Sequence, residues 1–215
     1  MPLKIDTLIV GPLEVNCYLV WDDQTGQGVV IDPGDQPDMI AKRLADKKIK
    51  PLAILLTHGH GDHLAGVATL KSQFDIPVVC GRGEEELLTD PAKNLSTWLE
   101  TPVVSPPPDQ VVDDEELLVF GPLAFRVLAT PGHSPGGVCY LLEESGKLIC
   151  GDTIFQGSVG RTDFPGSSMD QLLDSIRRKI LTLPNGVICY PGHGPSTTVG
   201  AERVNNPFLT GANFA

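Results

Sequence analysis

The chain of 215 residues holds five histidines: His58, His60, His63, His133 and His193. Each stands just after a run of apolar residues that reads as a buried strand. Leu52-Ala53-Ile54-Leu55-Leu56 leads through Thr57 into His58-Gly59-His60-Gly61-Asp62-His63. Residues 125–129 lead to Thr130-Pro131-Gly132-His133, residues 148–150 to Gly151-Asp152, and residues 187–190 to Pro191-Gly192-His193. In an α/β sheet the strand ends gather on one edge, where ligands bind. Four loops would therefore bring five imidazoles and two carboxylates, Asp62 and Asp152, to one place. Imidazole and carboxylate are ligands for zinc, iron or manganese. The interleaved glycines let the backbone turn sharply enough for neighbouring side chains to converge. A single histidine is more often a surface or hydrogen-bonded imidazole, but five unrelated ones would be scattered among helices and polar loops. Asp32, in Ile31-Asp32-Pro33-Gly34, also follows a strand. It is expected in a turn or behind the ligands, rather than on the metal. Thr57 is assigned a local hydrogen-bonding role.

The elements that must position these residues are legible in outline. Short strands are expected at 3–10, 15–21 and 27–32, a helix at 36–48 and a buried strand at 52–56. A helix from 62 to 74 and a strand at 77–80 follow. Residues 83–100 suggest a helix, and the Pro106-Pro107-Pro108 stretch beyond it cannot be regular structure. Strands return at 117–120, 123–129, 137–142 and 146–151. Met169, Leu172, Leu173, Ile176 and Ile180 share one face of a helix over 168–180, and a last strand occupies 186–190. Each half reads as meandering strands followed by strand–helix alternation. No stretch has the composition of a flexible linker, so residues 1–215 are expected to form a single domain of two similar halves.

Composition narrows the function. The formal charge of −11 repels phosphate backbones, so no nucleic-acid partner is expected. No run of 18 apolar residues suggests a membrane span, and the start does not read as a signal peptide. Five cysteines, an odd number without a C-x-x-C pair, read as buried thiols in a reducing compartment, which points to the cytoplasm. Asn94-Leu95-Ser96 matches a glycosylation acceptor by chance. Gly81-Arg82-Gly83 lacks the third glycine of a dinucleotide loop.

The H-x-H-x-D-H stretch at His58, His60, Asp62 and His63, followed by His133, Asp152 and His193, resembles the metallo-β-lactamase superfamily. All seven positions are present in order, and the resemblance spans residues 5 to 205. It implies an α+β fold, an αββα sandwich of two mixed sheets with helices on both outer faces. It implies that His58, His60 and His133 hold one divalent ion, that Asp62, His63 and His193 hold a second, and that Asp152 bridges them. Zinc is the first expectation, with iron or manganese as alternatives. Gly151-Asp152-Thr153-Ile154-Phe155, Gly160-Arg161-Thr162-Asp163-Phe164 and Asn206-Pro207-Phe208 are similar to the short bacterial members of the glyoxalase II group. In the long form, a lysine at the position of Arg161 and a tyrosine two residues on help hold glutathione. Here Arg161 keeps the charge and Asp163 replaces the tyrosine, and the helical extension of the long form does not follow Phe208.

The reaction this implies is hydrolysis of a thioester such as S-D-lactoylglutathione, a small-molecule substrate. A water bridging two cations would lose its proton and attack the carbonyl. The thiolate leaves unprotonated, since thiol pKa values lie near ~8.5. Asp62 is expected to orient the nucleophile, and Arg161 to grip a substrate carboxylate. The rival reading is an oxidoreductase, a persulfide dioxygenase with one iron held at positions matching His58, His133 and Asp152. A non-catalytic metal protein is a third, opposed by the open water position the ligand set leaves. Oligomeric state is unassigned.

Overall fold

Side-chain alternation along the second strand sets the architecture of this computed structural model, which describes residues 3–99 and 101–211. Strand β2 (Val15–Asp22) is buried at every position, so neither of its faces meets water. Val15, Cys17, Leu19 and Trp21 point to one side and join Ile40 and Leu44 in one apolar cluster. Tyr18 and Val20 point to the other and join Phe125, Val127 and Tyr140 in a second. A third cluster gathers Leu148, Cys150 and Cys189 with Leu172, Ile176 and Ile180.

Three clusters make four layers. The first sheet runs β1 (Leu3–Val10), β2, β3 (Gln27–Ile31), β4 (Lys50–Leu55), β5 (Val78–Gly81) and β6 (Gln110–Val112) in sequence order. β1 to β3 pair antiparallel, and β3 to β6 parallel. Helices α1 (Pro37–Lys47) and α2 (Val67–Phe74) supply Ile40, Leu44, Val67 and Leu70 to the cluster on its outer face. The second half of the chain forms the other sheet. It contains β7 (Leu117–Phe120), β8 (Leu123–Ala129), β9 (Val138–Leu142), β10 (Lys147–Gly151), β13 (Ile188–Pro191) and β14 (Thr197–Thr198), in spatial order 14-13-10-9-8-7. Helix α4 (Met169–Ser175), prolonged by a wide turn over Ile176–Ile180, covers its outer face. This is the αββα sandwich expected. Among the described residues no helix is long and apolar enough to cross a membrane. All five cysteines are free and buried.

Two expected helices differ. The stretch 62–74 splits into a single tight turn, Gly61–His63, and α2. At Gly66, between them, an added Cβ would stand 2.7 Å from the Pro33 carbonyl, so the chain breaks where it crosses the Asp32–Pro33 turn. Residues 83–99 hold only the short helix α3 (Glu85–Thr89) and a turn at Ser96–Trp98; residue 100 lies outside the described residues. Pro91 supplies no N–H for a helix, and Asn94 captures the backbone instead. Its Oδ1 accepts from Ser96 N at 3.0 Å and its Nδ2 donates to Val103 O at 3.0 Å. Fully buried, Asn94 is a structural residue and not a glycosylation acceptor. The hairpin β11 (Ile154–Phe155) and β12 (Ser158–Val159), and helices α5 (Val199–Asn205) and α6 (Pro207–Thr210), are elements the sequence pattern did not predict.

Candidate metal centre

The expected residues all follow strand ends on one edge of the sandwich. β4 runs into Thr57 and the His58–His63 loop, β8 into His133, β10 into Asp152 and β13 into His193. Their ligand atoms converge in three overlapping sets within 4.8 Å: His58–His60–His133, His58–His63–Asp152 and Asp62–His63–His193. Asp152 is central. Its Oδ1 lies 3.7 Å from His63 Nε2, and its Oδ2 lies 3.6 Å from both His133 Nε2 and His193 Nε2. It therefore faces both the first trio and the last.

Glycine is required where these loops meet. An added Cβ on Gly192 would fall 2.1 Å from Asp152 Oδ1 and 2.8 Å from His63 Cε1. The backbone of the last loop is thus the floor on which the carboxylate rests.

The far nitrogen of four rings is held from outside. His133 Nδ1 is 2.7 Å from the Arg161 carbonyl and His193 Nδ1 2.9 Å from the Leu13 carbonyl. His58 Nδ1 is 3.1 Å from Thr57 Oγ1. His63 Nδ1 stands 3.2 Å from Asp32 Oδ2, close enough for charge attraction but outside good hydrogen-bond alignment. Asp32 is itself pinned, accepting from Thr57 N at 2.8 Å and Thr57 Oγ1 at 2.6 Å. It thus stands behind the ring cluster, as expected. Such partners fix ring orientation in metal sites.

The inward atoms are another matter. His58 Nε2, His63 Nε2, His133 Nε2 and Asp152 Oδ1 are buried without a hydrogen-bond partner. Orphaned buried polar atoms each cost ~1–3 kcal/mol, and such a cluster calls for an explanation. Divalent cations supply one: the atoms face each other and are of the right chemical type. The residues fit a dinuclear metal site.

The two halves differ electrostatically. Burial, then the neighbouring imidazoles, push His58 well below the ordinary histidine range. Burial, then His133, bring His60 down to about 3. Around His63 burial also opposes the charged form, but Asp62, Asp32 and Asp152 outweigh it and raise that ring to about 10. Burial likewise opposes ionisation of Asp62, yet His63 and His193 hold it below the usual carboxylate range. His58 and His60 are therefore neutral imidazoles, whereas His63 and Asp62 form a charged cluster of both signs.

A family model, the Metallo-beta-lactamase superfamily, matches residues 10–193. The chain belongs to this superfamily. It is 41% identical over 211 residues to the probable metallo-hydrolase YqgX of Bacillus subtilis, covering 97% of this chain and 99% of that one. It is 33% identical over 209 residues to the hydroxyacylglutathione hydrolase GloC of Haemophilus influenzae, covering 96% and 98%. Among solved structures it is similar to the BLEG-1 B3 metallo-beta-lactamase, with a TM-score of 0.93 at 41% identity over 96% of this chain and 100% of that one. It is also similar to TTHA1623 in a di-iron-bound form, with a TM-score of 0.85 at 38% identity over 95% and 100%.

On this metallo-beta-lactamase scaffold a pocket opens above the centre. His60, Asp62, His133, Asp152 and His193 face it. Its walls include Leu95, Trp98, Phe155 and Phe164, so its sides are largely apolar. Arg161 lies on the same rim. Its Nε and Nη2 donate to Asp163 at 3.0 and 2.8 Å, and its guanidinium stacks 4.5 Å from the Phe164 ring centre. Both partners are exposed, at 68% and 66%.

Several contributors escape a sequence reading. Leu13 and Arg161 act through main-chain carbonyls, which no side-chain type announces. Asn16 donates to the Pro191 and Gly194 carbonyls at 3.0 and 2.8 Å and so holds the His193 loop. A polar residue inside an apolar strand was the available clue.

Proposed function

We propose that the chain is a hydrolase of thioesters using two divalent ions, zinc first among them, with a hydroxyacyl glutathione thioester such as S-D-lactoylglutathione as its substrate. The carrying observation is the two histidine-rich sets, His58–His60–His133 and Asp62–His63–His193, with Asp152 between them and with Nε2 of His58, His63 and His133 and Oδ1 of Asp152 orphaned. Likeness to GloC supports the substrate class. Two cations here supply an acidified water and neutralise charge that develops on the carbonyl oxygen.

The side chains divide the remaining work. His58, His60 and His133 would hold one ion and Asp62, His63 and His193 the other, with Asp152 facing both. Asp62 keeps its carboxylate ionised and partly open to the pocket, so it would orient the attacking water as well as help hold an ion. The apolar wall of Trp98 and Phe164 shelters the thiol portion from water. Arg161 exchanges Asp163 for a substrate carboxylate; an exposed ion pair in water is a weak competitor. The leaving thiolate needs no acid, since free thiols ionise near ~8.5. The charge of −11 argues against a nucleic-acid partner, and free buried thiols favour a reducing compartment such as the cytoplasm.

The test is elemental analysis of the purified protein combined with anaerobic turnover of S-D-lactoylglutathione. Two metal ions per chain with oxygen-independent thioester cleavage are expected. One iron per chain, no cleavage, and oxygen-dependent loss of glutathione persulfide would replace this reading with the oxidoreductase one.

A further inference from the structure

Glu84 is a fully buried carboxylate that the chemistry above does not use. Its hydrogen-bond partners are two backbone N–H groups: Oε2 accepts from Gly59 at 2.6 Å, and Oε1 from Gly136 at 2.6 Å. Gly59 lies between His58 and His60, and Gly136 lies three residues beyond His133. The first trio of candidate ligands comes from these two loops alone. Other links between them, Val138 N to Thr57 O at 2.8 Å and the Tyr140 hydroxyl to Leu56 O at 2.8 Å, lie at the strand ends behind the ligands. Glu84 reaches the loop tips.

The fit around it is close. A Cβ on Gly136 would stand 2.2 Å from Arg82 O and 3.0 Å from Glu84 N, and one on Gly59 would stand 3.0 Å from Glu84 Oε2. Burial raises the Glu84 pKa and so works against its charge, while the Gly136 N–H, the nearby Ser134 hydroxyl and the Gly59 N–H favour it. A buried carboxylate is weak as a source of stability, and an apolar residue would often serve as well. What it supplies is two fixed acceptors pointing in different directions.

We infer that Glu84 is a positioning residue: it clamps the His58–His60 segment to the His133 loop and so sets the metal affinity of that trio, and not that of the set completed by His193 from a third loop. The inference rests on the metal-centre reading.

Cobalt(II) titration, followed by its visible spectrum, tests it in two backgrounds. His193→Ala isolates the first trio, and His60→Ala isolates the second. Glu84→Gln keeps the volume but replaces one acceptor with a donor; Glu84→Ala removes both. In the first background each is expected to weaken cobalt binding ~10- to 100-fold, the usual cost of losing a partner behind the ligands, with an altered spectrum. In the second background affinity is expected to stay within about twofold of the parent, far below that range. Unchanged affinity and spectrum in the first background would overturn the inference alone. So would equal weakening in both, or failure of both variants to fold, which would make Glu84 a general structural residue. No cobalt uptake by the wild-type chain would instead overturn the metal-centre reading beneath it.

Discussion

Replacing Gly192 by alanine places one methyl group against the centre without substituting any candidate ligand. The new Cβ would lie 2.1 Å from Asp152 Oδ1 and 2.8 Å from His63 Cε1. Real Cβ contacts are essentially never shorter than 3.0 Å, so the carboxylate or the loop must move by about 1 Å. Neither has free space. The loop is tied by Asn16 N to the Gly192 carbonyl at 2.7 Å and by Gly192 N to the Gly151 carbonyl at 2.9 Å. The carboxylate sits among three imidazoles. A misplacement of ~1 Å costs on the order of 10²-fold in rate. Overpacking of a tight interior costs ~1–3 kcal/mol of stability. Gly192→Ala is therefore expected to fold, to melt a few degrees lower, and to lose roughly 10²-fold in kcat. Steady-state kinetics, metal analysis and a thermal melt check this. Turnover within threefold of wild type, with both ions retained, would show that Asp152 tolerates displacement and is not the shared ligand.

Asp152→Ala removes the group facing both sets and is expected to cost at least ~10²-fold in activity, more than any single histidine, with metal content per chain falling as well. Near-normal turnover with two ions retained would refute the bridging role. Proton release on metal binding should differ between the halves. His63 is raised from 6.5 to about 10 in the metal-free chain, so its contribution to stability is complete below about 6.5 and fades as pH rises through about 10. Near neutral pH the second set must expel that proton, so its affinity should rise with pH. The His58 and His60 rings, shifted downward, have none to expel. Calorimetry in buffers of different ionisation heat separates the steps; equal proton release from both would refute the charge assignment. Arg161→Ala is expected to raise KM for S-D-lactoylglutathione about tenfold or more, the worth of a charged hydrogen bond, while leaving a small uncharged thioester unaffected. Equal losses on both would make the Arg161–Asp163 pair purely structural.

The centre was legible because its side chains are chemically rare and stand at strand ends. Five histidines behind apolar runs left little freedom, and Asp32 behind them followed from its place after β3. The contacts that orient the rings were not legible. Leu13 and Arg161 offer carbonyl oxygens that every residue possesses, and their placement depends on tertiary packing. Glu84 was hidden for another reason: glutamate in a Gly-Arg-Gly-Glu stretch reads as a solvated turn unless burial is known. Residues 83–99 misled because helix-forming residues there satisfy their backbone through Asn94 and Ser96 instead. The break between Gly61–His63 and α2 depends on a crossing segment, Asp32–Pro33, far away in sequence.

The His193 ring is oriented by the carbonyl of Leu13, and an isolated bridge joins His193 to Val15. Leu13 and His193, 180 positions apart, thus meet beside the candidate metal centre. A ribosome-bound chain displays His58, His60 and His133 long before His193 emerges. The first three rings come from loops that Glu84 joins in the folded chain, whereas the last takes its orientation from the turn before β2. The connectivity therefore closes one trio within residues 58–136, while the set that includes His193 depends on a contact spanning almost the whole length of the sandwich's two halves.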